Sequence, residues 1–210
     1  MKKFLFIALA LVFAIGANAQ PRWGVKGGAN ISKYIWKVGD SKVDDLDARI
    51  GGLAGIMMEY SFVPSFSIQP ELMYRYNSTR IKNNESLTPG KDANLHFHQL
   101  QLPVNLKYKL GTDDLKFFVA AGAYASYIMA GKAKGVYGEE SGSIDLYGDG
   151  AFAKALDLKH FDWGAGFGIG FEVKRAIITV DYQLGLMNLS GVNNVKFRNN
   201  SLALTLGYFF

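Results

Sequence analysis

A two-residue alternation, held to the last residue, constrains this chain more than any other feature. In the segment 201–210, Leu202, Leu204, Leu206, Tyr208 and Phe210 fall on one face, while Ser201, Ala203, Thr205 and Gly207 fall on the other. A helix repeats every 3.6 residues, so this pattern specifies a β-strand whose two faces meet different surroundings. The same alternation recurs along the chain. Segments near 22–36, 47–61, 65–81, 94–110, 114–133, 158–174, 175–189 and 197–210 read as eight strands. In the fourth, Leu100, Leu102, Val104, Leu106, Tyr108 and Leu110 oppose Gln99, Gln101, Asn105, Lys107 and Lys109. In the seventh, Ile178, Val180, Tyr182, Leu184 and Leu186 oppose Thr179, Asp181, Gln183 and Gly185.

The connections alternate as well. Minimal turns stand at Val63-Pro64-Ser65, Gly111-Thr112-Asp113 and Lys174-Arg175, whereas 37–46, 82–93, 134–157 and 190–196 are longer. Short turns on one rim and long loops on the other characterise barrels that cross an outer membrane. The expected fold is all-β, an eight-stranded antiparallel up-and-down transmembrane β-barrel, the smallest barrel size. A soluble ligand-binding barrel would turn the apolar face inward. Against that, the polar faces carry Glu71, Arg75, Lys107 and Asp181, and the apolar faces hold Trp23, Tyr60, Phe66, Tyr108, Trp163, Phe171 and Phe210 near their ends. Large aromatics at the ends of an apolar band suit a membrane interface. After Gln20 no apolar run is long enough for a membrane helix, so a membrane location requires a closed barrel.

The start of the chain agrees with export. Met1-Lys2-Lys3 is basic, Phe4 to Ile15 is uninterrupted and apolar, and Ala17-Asn18-Ala19 offers small residues to a signal peptidase. Residues 1–19 therefore read as a signal peptide, with Gln20 opening a barrel domain at 20–210. There is no cysteine, so neither disulfides nor a cysteine-linked lipid anchor are available. The formal charge of +5 includes Lys2 and Lys3, leaving 5 − 2 = +3 after cleavage. That charge is too mild, and too little patterned, for a nucleic-acid partner.

The Ala-Asn-Ala-Gln ending of the leader, the opening Trp23-Gly24-Val25-Lys26-Gly27-Gly28-Ala29-Asn30, the eight alternating strands and the aromatic terminus resemble the PorT-like "porin family" of small outer-membrane β-barrels. The resemblance covers essentially the whole chain after the leader. It implies that Phe210 serves as an assembly signal read by the barrel-assembly machinery. It also implies an accessory role in a secretion apparatus, which no individual residue supports. The word "porin" in the family label does not itself demonstrate a pore.

With the apolar faces toward lipid, Lys26, Glu59, Glu71, Arg75, Lys107, Glu172 and Asp181 point into the lumen. Charges in a narrow barrel must pair or stay hydrated. Glu71 and Arg75 are about 13 Å apart along their strand, too far to bond, so Arg75 is expected to reach across to Asp181. The expectation is a charge-paired plug; the competing reading is a hydrated channel. Inward glycines from Gly164 to Gly170 make room for bulkier groups opposite. Their Gly-x-Gly-x-Gly spacing is not a dinucleotide fingerprint.

Three histidines bear on catalysis or metal binding. His96 and His98 share the outward parity of Leu100 and suit anchoring at the headgroups, since no third metal ligand is near. His160 and Asp162 read as inward, and Ser126 lies inward on the neighbouring strand, a spacing compatible with a Ser-His-Asp group. Rim polarity is the simpler account, and no catalytic, cofactor or metal residue is assigned. The loops carry Asp40, Asp44, Asp45 and Asp47, then Glu139, Glu140, Asp145, Asp149 and Asp157 with Tyr137, Tyr147 and Phe152, a solvated acidic rim matching no calcium loop. The expected role is non-enzymatic, either envelope-structural or a loop-mediated interaction. Alternatives are a small-solute channel, a lipid-acting barrel enzyme and a secretion accessory. Expected partners are outer-membrane lipid and lipopolysaccharide, the assembly machinery and an unidentified envelope protein.

Overall fold

A computed structural model describes residues 21–38, 41–43, 46–81, 93–112, 114–137, 140–147, 157–192 and 194–210. The proposed leader 1–19 and the acidic positions Asp40, Asp44, Asp45, Glu139 and Asp149 lie outside the described residues. The described strands are β1 (Arg22–Val38), β2 (Ser41–Val43), β3 (Leu46–Val63), β4 (Phe66–Ile81), β5 (Ala93–Gly111), β6 (Leu115–Tyr137), β7 (Glu140–Asp145), β8 (Phe161–Val173), β9 (Ala176–Gly185) and β10 (Val195–Phe209). Eight of them form the wall in the order β10-β9-β8-β6-β5-β4-β3-β1, every pair antiparallel. β1 then pairs back onto β10, from Gly24↔Phe209 to Val38↔Val195. The sheet has no free long edge, which is the condition for a backbone to cross lipid.

β2 and β7 are not among the eight strands expected from the sequence. Each is short and folds onto the outer end of a wall strand, β2 on β1 and β7 on β6. They lie within segments 37–46 and 134–157, where alternation is too brief to register. β9 ends sooner than its alternation suggests. Asn188 explains this: its Nδ2 donates to the Val195 carbonyl at 2.8 Å and its Oδ1 accepts from the Phe197 amide at 2.8 Å. The chain thereby leaves the wall and delivers Leu189, 1% exposed, into the barrel mouth.

The three short connections, between β3 and β4, β5 and β6, and β8 and β9, fall on one rim, together with Arg22 and Phe209. Lys174 takes φ 54°, the left-handed conformation that lets a two-residue hairpin follow the strand twist. At this rim the Phe210 amide donates to the Trp23 carbonyl and the Phe209 amide to the Arg175 carbonyl, each at 2.8 Å.

The outer surface is a band of exposed apolar side chains. Leu204, Leu206, Ile169 and Phe167 are all more than half exposed, as are Phe66 and Phe171 at its lower edge. An apolar surface this continuous would drive association in water; in lipid it is the stabilised face. Aromatic pairs mark the edge, with Phe66–Tyr108 centroids 4.7 Å apart and Phe117–Phe171 5.4 Å apart. Inside, the β8 glycines receive large partners from neighbouring strands. A Cβ at Gly164 would lie 2.8 Å from the Tyr124 hydroxyl, and one at Gly168 would lie 2.6 Å from Asp181 Oδ1.

Candidate functional site in the barrel lumen

The lower half of the lumen is one connected network of charges. Glu59 accepts from Arg22 Nη2 at 2.6 Å and from Lys107 and Lys109 Nζ at 2.8 Å each. Arg22 Nη1 continues to Glu172 Oε1 at 2.8 Å. Lys107 also donates to Gln69 Oε1 at 2.9 Å, and Gln69 Nε2 donates to Glu71 Oε1 at 2.6 Å. Lys26 closes the chain, reaching Glu71 Oε1 at 3.3 Å and Asp181 Oδ2 at 3.1 Å. Arg22, Lys26, Lys107 and Lys109 thus balance Glu59, Glu71, Glu172 and Asp181, four against four. Most of these side chains are almost wholly buried, and a charge there is tolerable only because each partner is in place.

Six of the seven lumen charges read from the sequence are therefore joined. Arg75 is not. It is fully buried, but its Nη1 donates to Gln183 Oε1 and, at 3.2 Å, to Ser201 Oγ, not to Asp181. Gln183 lies one inward step closer to the outer rim than Asp181, at the height of Arg75, and Lys26 already holds Asp181. Arg22 and Lys109 were missed as network members. Both share parity with residues that were identified, Arg22 with Lys26 and Lys109 with Lys107, so the signal was present.

The network also rests on apolar inward groups. Met57, Phe118, Ile177 and Phe209 pack together inside the lower rim. Lys107 Nζ stands 4.1 Å above the Phe118 ring, and the Arg22 guanidinium 4.3 Å above that of Phe209. Cations over aromatic faces gain electrostatic attraction that is strongest away from water. A cavity of about 20 Å³ lies above, lined by Lys26, Glu71, Arg75, Gln101, Asn105, Asp181 and Gln183 among others. That volume holds about one water molecule.

The mouth is closed differently. Tyr34, Leu95, Phe97, Ile128, Leu146, Leu189 and Phe197 form a buried cluster, with Tyr147 and Leu158 against it. Tyr34 is the centre, its ring 4.9 Å from both Phe97 and Phe197. Beneath it Asn30 Nδ2 and Ser32 Oγ donate to Asn77 Oδ1, and Gln99 accepts from Ser126. Burial, with the nearby Asp162 charge, raises the Tyr147 phenol pKa above its ordinary value, so it remains a neutral donor.

Ser126, His160 and Asp162 do not assemble into a catalytic group. Ser126 Oγ donates to Gln99 Oε1 at 3.1 Å, and Asp162 Oδ2 accepts from the Tyr124 hydroxyl at 3.3 Å. His160 lies exposed before β8 begins, contrary to its inward reading, because the strand starts only at Phe161. Its Nδ1–H donates to the Ile128 carbonyl at 2.8 Å and its ring packs on Tyr147 with centroids 4.4 Å apart. With that nitrogen occupied by a carbonyl, His160 cannot be oriented by Asp162.

His96 and His98 face outward as read. Each Nδ1 is bonded to a tyrosine of β4, His96 to Tyr76 at 2.5 Å and His98 to Tyr74 at 2.6 Å. Among the described residues no three His, Asp or Glu side chains converge on a metal position.

Residues 18–191 match the family described as "Outer membrane protein beta-barrel domain". The chain belongs to that family. It is thus an outer-membrane β-barrel domain protein, a class broader than the PorT-like group. Its fold is similar to the outer membrane protein OprG from Pseudomonas aeruginosa, with 15% identity, a TM-score of 0.50, and 91% of this chain and 97% of that chain covered. The Yersinia pestis attachment invasion locus protein Ail aligns at 15% identity and TM-score 0.42, covering 91% and 99%. The Escherichia coli outer membrane protease OmpT aligns at 11% identity and TM-score 0.47, covering 93% and 98%. Among curated proteins none matches this barrel in sequence.

Proposed function

We propose that this outer-membrane barrel is non-enzymatic and closed, serving the envelope as a structural element or through its loops. The observation that carries this reading is how the described residues occupy the lumen: a neutral charge network below, a cavity of about 20 Å³ in the middle and an aromatic cap above. Solute passage would require breaking buried ion pairs and displacing the Tyr34 cluster together. Ser126 and Asp162 stand opposite one another in the register, but Ser126, His160 and Asp162 are each bonded to a different partner and not to one another, which supports the non-enzymatic half of the reading. Planar-bilayer recording of the purified barrel tests the closed lumen. No steady single-channel steps are expected, and reproducible conductance from the unmodified protein would overturn the reading in favour of a channel.

Residues 1–19 act as a leader removed on export, and Phe210 acts as the assembly signal at the lower rim. Intact-mass measurement on protein recovered from outer membranes is expected to give a chain beginning at Gln20. A mass that retains residues 1–19 would exclude cleavage there.

A further inference from the structure

The outward face of β3–β6 changes character at the upper edge of the apolar band. On β5, Leu102 and Leu100 give way to His98, His96 and Asn94; on β6, Met129 gives way to Lys132 and Lys134. The register stacks these residues in rows. Tyr76 stands opposite His98, and His98 opposite Ala130; Ser78 stands opposite His96, and His96 opposite Lys132; Asn94 stands opposite Lys134. Arg49 crosses β4 to donate through Nη1 to Asn94 Oδ1 at 2.8 Å. The permanent positive charges that bear on His96 are those of Lys134 and Arg49.

The tyrosines give this patch its order. Tyr76 lies parallel to the His96 ring, with a 12° interplanar angle and centroids 5.8 Å apart, and its hydroxyl meets His96 Nδ1. The Tyr74 hydroxyl likewise meets His98 Nδ1, with the two rings tilted by 35°. When a phenol O–H donates to Nδ1, the imidazole carries its proton on Nε2. Both rings then present an N–H, and the Arg49 guanidinium and the Lys134 ammonium lie close enough to act on His96. Among the described residues at this edge, Arg49, Arg80, Lys132 and Lys134 outnumber Asp47 and Asp145, and a net excess of cations and N–H donors at the height of the headgroups is complementary to phosphate.

We infer that Arg49, His96, His98 and Lys134 form a docking site for the phosphorylated headgroup of an outer-leaflet lipid, whose acyl chains lie along Leu100 and Tyr74 below. Position selects the lipid over free phosphate, because the patch continues directly into the apolar band. The site is separate from the lumen, so it stands whether or not the barrel conducts.

The test uses the full barrel reconstituted in phosphatidylcholine nanodiscs containing a minor fraction of diphosphoryl lipid A, followed by detergent extraction and mass measurement of retained lipid. Wild type is expected to retain lipid A, and lipid A stripped of its phosphates is expected not to be retained. An R49Q/K134Q variant is expected to retain about tenfold less, since each basic residue near a charged lipid surface adds a few-fold. A K33Q/R198Q variant, altered on the outward faces of β1 and β10, is expected to retain lipid A at the wild-type level. Heat-modifiable migration in gels verifies that each variant is folded. Equal retention by wild type and R49Q/K134Q would overturn the site, as would equal loss in the two variants. Protection of the patch by inorganic phosphate alone, without lipid A retention, would reassign it to the free ion and likewise overturn the lipid proposal.

Discussion

Replacing Glu59 by Ala is expected to lower the unfolding free energy of the barrel by about 3–5 kcal/mol, the range for a buried ion pair stripped of one partner. Glu59 is the acceptor for Arg22, Lys107 and Lys109, and the two lysine side chains are 1% and 4% exposed. Removing the carboxylate leaves both ammonium groups beside one another with no carboxylate bonded to either and little water. Urea titration of the barrel folded in lipid vesicles, followed by tryptophan emission, measures the loss. A second substitution sharpens the test. Lys107→Met in the Glu59→Gln background is expected to recover part of the stability, because it removes an orphaned charge while filling its volume. Asp145→Ala is the contrast: its pair with Lys132 spans 3.8 Å and both groups are more than half exposed. Such a pair contributes about 0–1 kcal/mol. Equal losses for Glu59→Ala and Asp145→Ala would contradict a dry lumen network.

The second large effect lies on the opposite face of the wall. Leu204→Arg is expected to destabilise the inserted barrel by about 2–4 kcal/mol, the cost of an arginine near the bilayer midplane. Leu204 is 57% exposed and sits amid Leu202 and Leu206 on the lipid face of β10. Asn200→Arg, two outward positions closer to the outer rim, is expected to cost about 0–1 kcal/mol, since depth sets the penalty. The same titration in vesicles reads both. A flat profile along β10 would mean that this face does not meet hydrocarbon.

Most of the wall was legible from residue order, because lipid and lumen impose opposite demands on alternate positions. Leu204 and Thr205 could not exchange faces without exposing a hydroxyl to hydrocarbon. Tight turns were equally readable, since Pro64 and the Lys174–Arg175 pair leave no room for further chain. What parity could not give was height. Deciding that Arg75 meets Gln183 and not Asp181 requires the stagger between strands on opposite sides of the barrel, which alternation does not encode. His160 was misplaced for a related reason: parity was extended three residues beyond the true start of β8. The mouth cap escaped notice because it recruits Leu146, Leu158 and Leu189 from between strands, where no periodicity exists. The tyrosine–histidine pairs at the outer rim are diagonal contacts between β4 and β5, visible only once the register is known.

The seam between β1 and β10 has a consequence for how the molecule comes into being. Its partners run from Gly24↔Phe209 to Val38↔Val195, so every contact joins residues far apart in the chain. Neighbouring hairpins can form locally and early, but the seam must wait for the whole curved sheet. Until it closes, the first and last strands present unpaired amides to any other strand nearby, a template for aggregation. Closure is therefore a single late event that converts an adhesive ribbon into an inert cylinder. A chain interrupted in any wall strand should yield no smaller barrel, only an open sheet that cannot remain in lipid.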